Sequence, residues 1–283
     1  MAADPSTNPA ATKRDPIEID ITVAHVARAY DYMLGGVTNF EVDRQAAERL
    51  SAVFPGGVET ARVDVRAQRD FLGRAVRYLV GEAGIRQFLD VGTGIPNADN
   101  VHAIAQETAP DCRIVYVDRD PIVLAHAHTL LVSTTEGATD FVDGDLRNPD
   151  DILRQAAITL DLRQPVALVL VGILHVIRDE DDPQAIVTQL MEALPSDSYL
   201  VISHLPEDMR PDEMAKMAER SRQMMREPFI MRSYDEVLRF FDGLDLVEPG
   251  LVQVDQWTQD RPPPPPPPGT WVTPLYAAVG RKD

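Results

Sequence analysis

The chain has 283 residues, with 45 acidic against 27 basic side chains and a formal charge of -18. That charge repels phosphate backbones and anionic head groups over much of the surface, so nucleic acid is a poor default partner. A single cysteine, Cys112, excludes an internal disulfide and fits a reducing compartment.

Residues 1–16 are rich in Ala, Pro, Asp, Ser, Thr and Asn and lack the apolar stretch of a secretory signal, so they read as a disordered leader. The longest apolar run, 165–177, is too short for a membrane span of roughly twenty residues. A soluble cytoplasmic protein without a membrane anchor is the expectation.

Residues 17–82 read as a helical cap. Val58, Ala61, Val65, Leu72, Val76 and Leu79 recur at steps of three, four or seven and line one helix face. The first helix of the cap should stop at Gly35 and Gly36, because glycine accepts the left-handed backbone that closes a helix. Residues 37–43 are then expected to form a loop.

From residue 85 the texture changes to short aliphatic runs separated by amphipathic stretches. Strands are expected at 87–91, 113–117, 138–142, 165–171 and 198–203, and helices at 97–108, 121–131, 149–158 and 183–194. Three of these helices open on proline, a favoured first helical residue. Such alternation specifies an α/β fold with a doubly wound parallel sheet over residues 83–283.

After a helical stretch at 233–241, the runs 244–254 and 271–279 have no helix between them and should pair antiparallel at the sheet edge. Seven prolines, 262–268, lie between them. They donate no ladder hydrogen bonds and favour a polyproline rod, so they should project as a stiff insert. The insert either docks a partner protein with an aromatic groove or is a solvated linker.

The chemistry starts in F-L-D-V-G-T-G-I-P, residues 88–96. Gly92 and Gly94 directly after a strand let the backbone approach a ligand closely. Asp90 stands at the strand end, where dinucleotide sites commonly carry an aliphatic residue. No Lys or Arg occurs from Phe88 to Cys112. A carboxylate-bearing, cation-poor loop suits the sulfonium and ammonium of S-adenosylmethionine better than a pyrophosphate, and the helix N-terminus near Asn97 can receive its lone carboxylate. Thr93 lies inside the same loop.

The second strand ends in V-Y-V-D-R-D-P, which puts Asp118 where a carboxylate accepts ribose hydroxyls, with Arg119 beside it and Asp120 as a helix cap. The third ends in F-V-D-G-D-L-R. Asp145 is there placed for the adenine amine and Leu146 for its ring, unless Asp143 and Asp145 are only turn residues.

D-V-G-T-G-I-P, V-Y-V-D-R-D-P-I-V-L-A-H, S-Y-L-V-I-S-H and A-R-A-Y-D-Y-M-L-G-G-V-T-N-F-E-V-D-R together resemble an S-adenosyl methyltransferase family once catalogued as a domain of unknown function. The resemblance runs from about Asp20 to the C-terminus. It implies a Rossmann-like methyltransferase fold with an antiparallel seventh strand, and Asp90, Gly92, Gly94, Asp118 and Asp145 match the general cofactor-contact positions of such enzymes. Pro96 takes the place where a third glycine is usual in the wider class, and the proline run is an insertion relative to the pattern.

Methyl transfer from a sulfonium needs alignment and a destination for a proton rather than a fixed triad. His175 follows the fourth strand and His204 ends the fifth, so each is a candidate base at the carboxyl edge or else a structural histidine. Tyr30 and Asn39, with Asp31 and Tyr32, flank the glycine pair and are candidate lid or acceptor residues. His126 and His128 lie two apart on a helix, which points them to different faces, and no metal is expected. Met209, Met214, Met217, Met224 and Met225 form either an apolar acceptor pocket or plain core. Arg210, Arg220, Arg222 and Arg226 contact an acidic acceptor or make a charged outer face. The expected function is methylation of a small-molecule acceptor with S-adenosylmethionine as cofactor. A noncatalytic sensor or scaffold on the same fold is the alternative.

Overall fold

The computed structural model describes residues 19–96, 100–130, 133–259 and 271–283. The leader 1–16, Asn97 and the proline run 262–268 lie outside the described residues.

Three helices come first: α1 (Val26–Leu34), α2 (Glu41–Ser51) and α3 (Val58–Gly81). Gly35 closes α1 at φ 87°, in the left-handed region expected of it. The expected loop 37–43 is shorter than read, because α2 begins at Glu41. The Asp43 carboxylate reaches back to the Phe40 amide at 2.9 Å, satisfying a donor that the start of α2 leaves free.

Then follow β1 (Gln87–Val91), α4 (Val101–Thr108), β2 (Arg113–Asp118), α5 (Pro121–Leu130), β3 (Ala138–Asp143), α6 (Pro149–Ala156), β4 (Ala167–Val171), α7 (Pro183–Glu192) and β5 (Tyr199–His204). Each of the five expected strands is present to within two residues at either end. The helix expected from 97 is seen from Val101 onward.

Helices α8 (Pro211–Met224) and α9 (Tyr234–Leu238) lead to β6 (Leu244–Leu246), β7 (Val252–Gln253) and β8 (Tyr276–Lys282). The run expected as one strand over 244–254 is thus two short ones. Pro249 has no amide to give to a ladder, and Gly250 bonds back to the Val247 carbonyl at 2.9 Å to close a turn. The second strand starts at Tyr276 rather than 271, just after Pro274.

The sheet order is β3-β2-β1-β4-β5-β8-β6, with β7 also on β8. Strands β1 to β5 run parallel, and β8 runs antiparallel to β5 on one side and to β6 and β7 on the other. Alternate residues feed two cores. Leu89, Val115, Leu168 and Leu200 pack on one face with Ile152, Ile186 and Val237. Phe88, Ile114, Val169 and Val201 pack on the other with Phe71, Leu79, Ile104 and Trp257. Each fully buried aliphatic side chain contributes about 1.5–3 kcal/mol, which fixes the register of the strands.

Strand order reverses between β1 and β4, and ligands of doubly wound sheets bind in the crevice at such a point. A third apolar cluster covers that crevice: Ala47, Leu50 and Phe54 from the N-terminal helices meet Met214 and Met217 of α8.

Candidate active site

Three loops at the carboxyl edge are tied together through main-chain donors. The Gly92 amide bonds the Val117 carbonyl at 2.8 Å, the Gly94 amide bonds Asp118 Oδ2 at 2.9 Å, and the Gly144 amide bonds the Asp118 carbonyl at 3.1 Å. Gly92 and Gly94 stand at φ 77° and 68°, a backbone that side chains rarely adopt. A Cβ on Gly94 would meet nothing within 4 Å, so open space faces the loop there.

Asp90 is 8% exposed and its Oδ2 accepts the Thr93 hydroxyl at 2.9 Å. Burial pushes its carboxyl up to about 6, against the Thr93 hydrogen bond and the charge of Arg69. Asp118 is also raised by burial, although the Asp120 and Gly94 amides oppose this. Burial disfavours the charged form of both carboxylates, and a cationic ligand with ribose hydroxyls would complement them.

Asp145 has a different environment. Burial works against its ionisation, but the Arg147 amide and the Arg119 and Arg147 guanidiniums hold it below the usual carboxylate range. Arg119 spans Asp145 and Glu227, so a charged chain crosses from the β2 loop to the segment after α8. Leu146 is buried beside it.

A single cavity is bordered by Asp90, Gly92, Thr93, Gly94, Asp118, Arg119, Asp145 and Leu146. The same cavity continues between the N-terminal helices and α8, where Tyr30, Leu50, Phe54, Leu72 and Met217 border it. The expected cofactor residues therefore meet in one place.

The remaining expected residues separate. His175 borders the cavity, and its Nδ1 is buried without a hydrogen-bond partner among the described residues. Burial, with the charge of Arg232, pushes its imidazole down to about 3. His204 is fully buried away from the cavity wall. Its Nδ1 faces the Leu205 carbonyl at 2.8 Å and its Nε2 faces Arg232 Nη1 at 2.9 Å, so both ring nitrogens are engaged and a role as base is not carried by its position. Asn39 also stands outside the cavity, where its amide donates to Asp31 Oδ2 and the Gly36 carbonyl. Tyr30 donates to the Val65 carbonyl at 3.2 Å.

Of the methionines, Met217 borders the cavity while Met214 and Met225 are core. The arginines are occupied elsewhere: Arg210 over the Trp271 ring, Arg220 on the Arg49 carbonyl, Arg222 on Glu219 and Arg226 on Asp20. Among the described residues no group of three His, Cys, Asp or Glu side chains is arranged to hold a metal.

Sequence reasoning missed His25, Asp64, Gln68 and Glu227, all on the cavity wall. His25 Nδ1 lies 2.7 Å from Asp120 Oδ2, which links the start of the N-terminal helices to the loop after β2. Asp64 and Gln68 carried a usable signal, since they interrupt the apolar face of α3 with polar groups one turn apart.

A doubly wound sheet with an inserted antiparallel β8, a cation-poor glycine loop and acidic ends on β1 and β2 defines the class of nucleoside-binding methyltransferases. The chain belongs to the S-adenosyl methyltransferase family, whose pattern matches residues 12–283. A protein of the DUF574 family from Streptomyces avermitilis has a similar structure at TM-score 0.85 and 44% identity, over 94% of this chain and 100% of that one. A Thermobifida fusca protein provisionally assigned as a methyltransferase is similar at TM-score 0.82 and 36% identity, over 93% of this chain and 97% of that one. No curated protein matches the sequence. The chain is thus an S-adenosylmethionine-dependent methyltransferase.

Proposed function

We propose that the methyl group goes to a small molecule held in the apolar part of the cavity. The observation that carries this reading is continuity: one cavity joins Gly92, Asp118 and Leu146 to Leu50, Phe54 and Met217. A cavity walled by helices suits a small ligand, and the charge of -18 disfavours nucleic acid.

On this reading Asp90 meets the cofactor's cationic end and Asp118 its ribose hydroxyls. Gly92, Thr93 and Gly94 bring main chain close, while Arg119, Asp145 and Leu146 border the adenine. When bound, S-adenosylmethionine supplies a sulfonium-activated methyl group for in-line displacement by an acceptor lone pair. His175, held neutral at physiological pH, orients an acceptor hydrogen rather than storing its proton. Tyr30 forms part of the wall, and Asn39 braces the turn behind it. We assign the activity to a bacterial cytoplasm: Cys112 is a buried free thiol, which suits a reducing compartment, and no described helix is long and apolar enough to cross a membrane.

The test uses cofactor with a labelled methyl group and three acceptor pools: small molecules, proteins and nucleic acids. Label should enter the small-molecule pool alone. Transfer into protein or nucleic acid would overturn the reading, and cofactor binding without transfer to any pool would favour a noncatalytic sensor.

A further inference from the structure

Along α3, Ala61, Asp64, Val65, Gln68, Arg69 and Leu72 recur at steps of one, three and four and all border the cavity. Three of these six are apolar, and Asp64 is the one acid among them. It is 8% exposed, so its carboxylate is largely withdrawn from water. Among the described residues its donors are neutral: the Trp271 indole at 2.7 Å and the Thr273 side chain. Arg210 acts on it through charge, but its guanidinium lies over the Trp271 ring, 4.2 Å from the centroid.

A buried carboxylate held by neutral donors is electrostatically incomplete, and its carboxyl is raised to about 6 by that burial. It is still ionised at neutral pH. A ligand group that completes it brings a positive charge and hydrogen-bond donors, while Phe54, Leu205, Met217 and Leu275 on the wall of the same cavity call for an apolar body.

We propose that the acceptor is an apolar molecule bearing an amine, and that its ammonium seats on the Asp64 carboxylate. The inference rests on the methyl-transfer reading above and names the substrate class of that same site. Asp64 stands five positions before Arg69 on α3, and the charge of Arg69 acts on Asp90. At 1.5 Å of rise per residue the two levels are roughly 7–8 Å apart. An ammonium seated on Asp64 has no lone pair with which to attack a methyl group, so on this reading it anchors the acceptor and a different atom is methylated.

The experiment is calorimetry on the full chain saturated with S-adenosylhomocysteine. The probes are 2-phenylethylamine and 4-phenylbutylamine, each against the alcohol of the same length. The amines should bind at least about tenfold more tightly than the alcohols. Asp64→Asn should bring each pair within about twofold, and Asp64→Glu should keep the preference. Equal binding of amine and alcohol, an amine preference that survives Asp64→Asn, or no binding of either by protein that holds S-adenosylhomocysteine would each overturn the proposal. If Asp64→Asn fails to fold, the wild-type pair and Asp64→Glu still decide. Failure to bind S-adenosylhomocysteine would instead sink the methyltransferase reading.

Discussion

The Gly94 amide donates to the Asp118 carboxylate at 2.9 Å, so the loop after β1 hangs from the end of β2. The other oxygen of the same carboxylate accepts the Asp120 amide, also at 2.9 Å. One side chain thus orders two loops before any ligand arrives. Asp118→Ala removes both bonds together with the proposed ribose acceptor. A charge-assisted hydrogen bond contributes about 1.5–3 kcal/mol, so S-adenosylhomocysteine affinity should fall by at least about tenfold. Calorimetry reads this directly, and an unchanged affinity would remove Asp118 from the site.

The two loop glycines should respond unequally to alanine. At Gly92 a Cβ would meet the Ile173 side chain at 2.6 Å, in addition to the strain of a positive φ. At Gly94 only the backbone cost applies, about 1–2 kcal/mol. Gly92→Ala should therefore lower the melting temperature more than Gly94→Ala. Equal shifts would mean that Ile173 moves aside freely.

Cofactor binding should be linked to protons through Asp90. Its carboxyl is raised to about 6 in the free protein, and a cation beside it favours the ionised form. Affinity for S-adenosylmethionine should then rise with pH up to about 6 and level off above it, with proton release on binding near pH 6. Titrations in buffers of different ionisation enthalpy count those protons. In the free protein the same shift costs stability as pH rises from the unfolded value towards about 6. Asp90→Asn should abolish the proton release.

Arg232 is 5% exposed and donates to the Leu174 and Ile177 carbonyls, while its Nη1 faces His204 Nε2. It fixes the turn that carries His175. Arg232→Met leaves those acceptors unpaired and should destabilise the fold by about 3 kcal/mol, seen in denaturant midpoints. His204→Gln should lower stability without moving the pH profile of turnover. A shifted profile would return His204 to the chemistry.

The strands and the loops of the candidate cofactor site were legible because each is written in consecutive residues. Runs such as 113–117 announce a strand, and D-V-G-T-G carries both turn glycines with the acid before them. The start of α2 was not legible, because its cap is an Asp43 carboxylate reaching back to Phe40 rather than a Ser or Thr at the first position. Trp271 reads as a strand residue by type, yet Asp64, 207 positions earlier, engages its indole. The acceptor half of the cavity escaped for the same reason: its walls come from α1 to α3 and from α8, and no local pattern tells which of their faces meet.

That division of walls has a consequence in time. Asp20 pairs with Arg226, and the Arg226 amide bonds the Ala24 carbonyl at 3.1 Å, closing a loop of some 200 residues, whereas β1, β2 and β3 close over a few dozen. Contacts of long separation form late, so during folding the cofactor half should be complete while the N-terminal helices still wait for α8. Pulse-labelled hydrogen exchange should find β1 and β2 protected before α1. The proposed reaction chamber is then the last part of the molecule to exist, assembled on a sheet edge that is already finished.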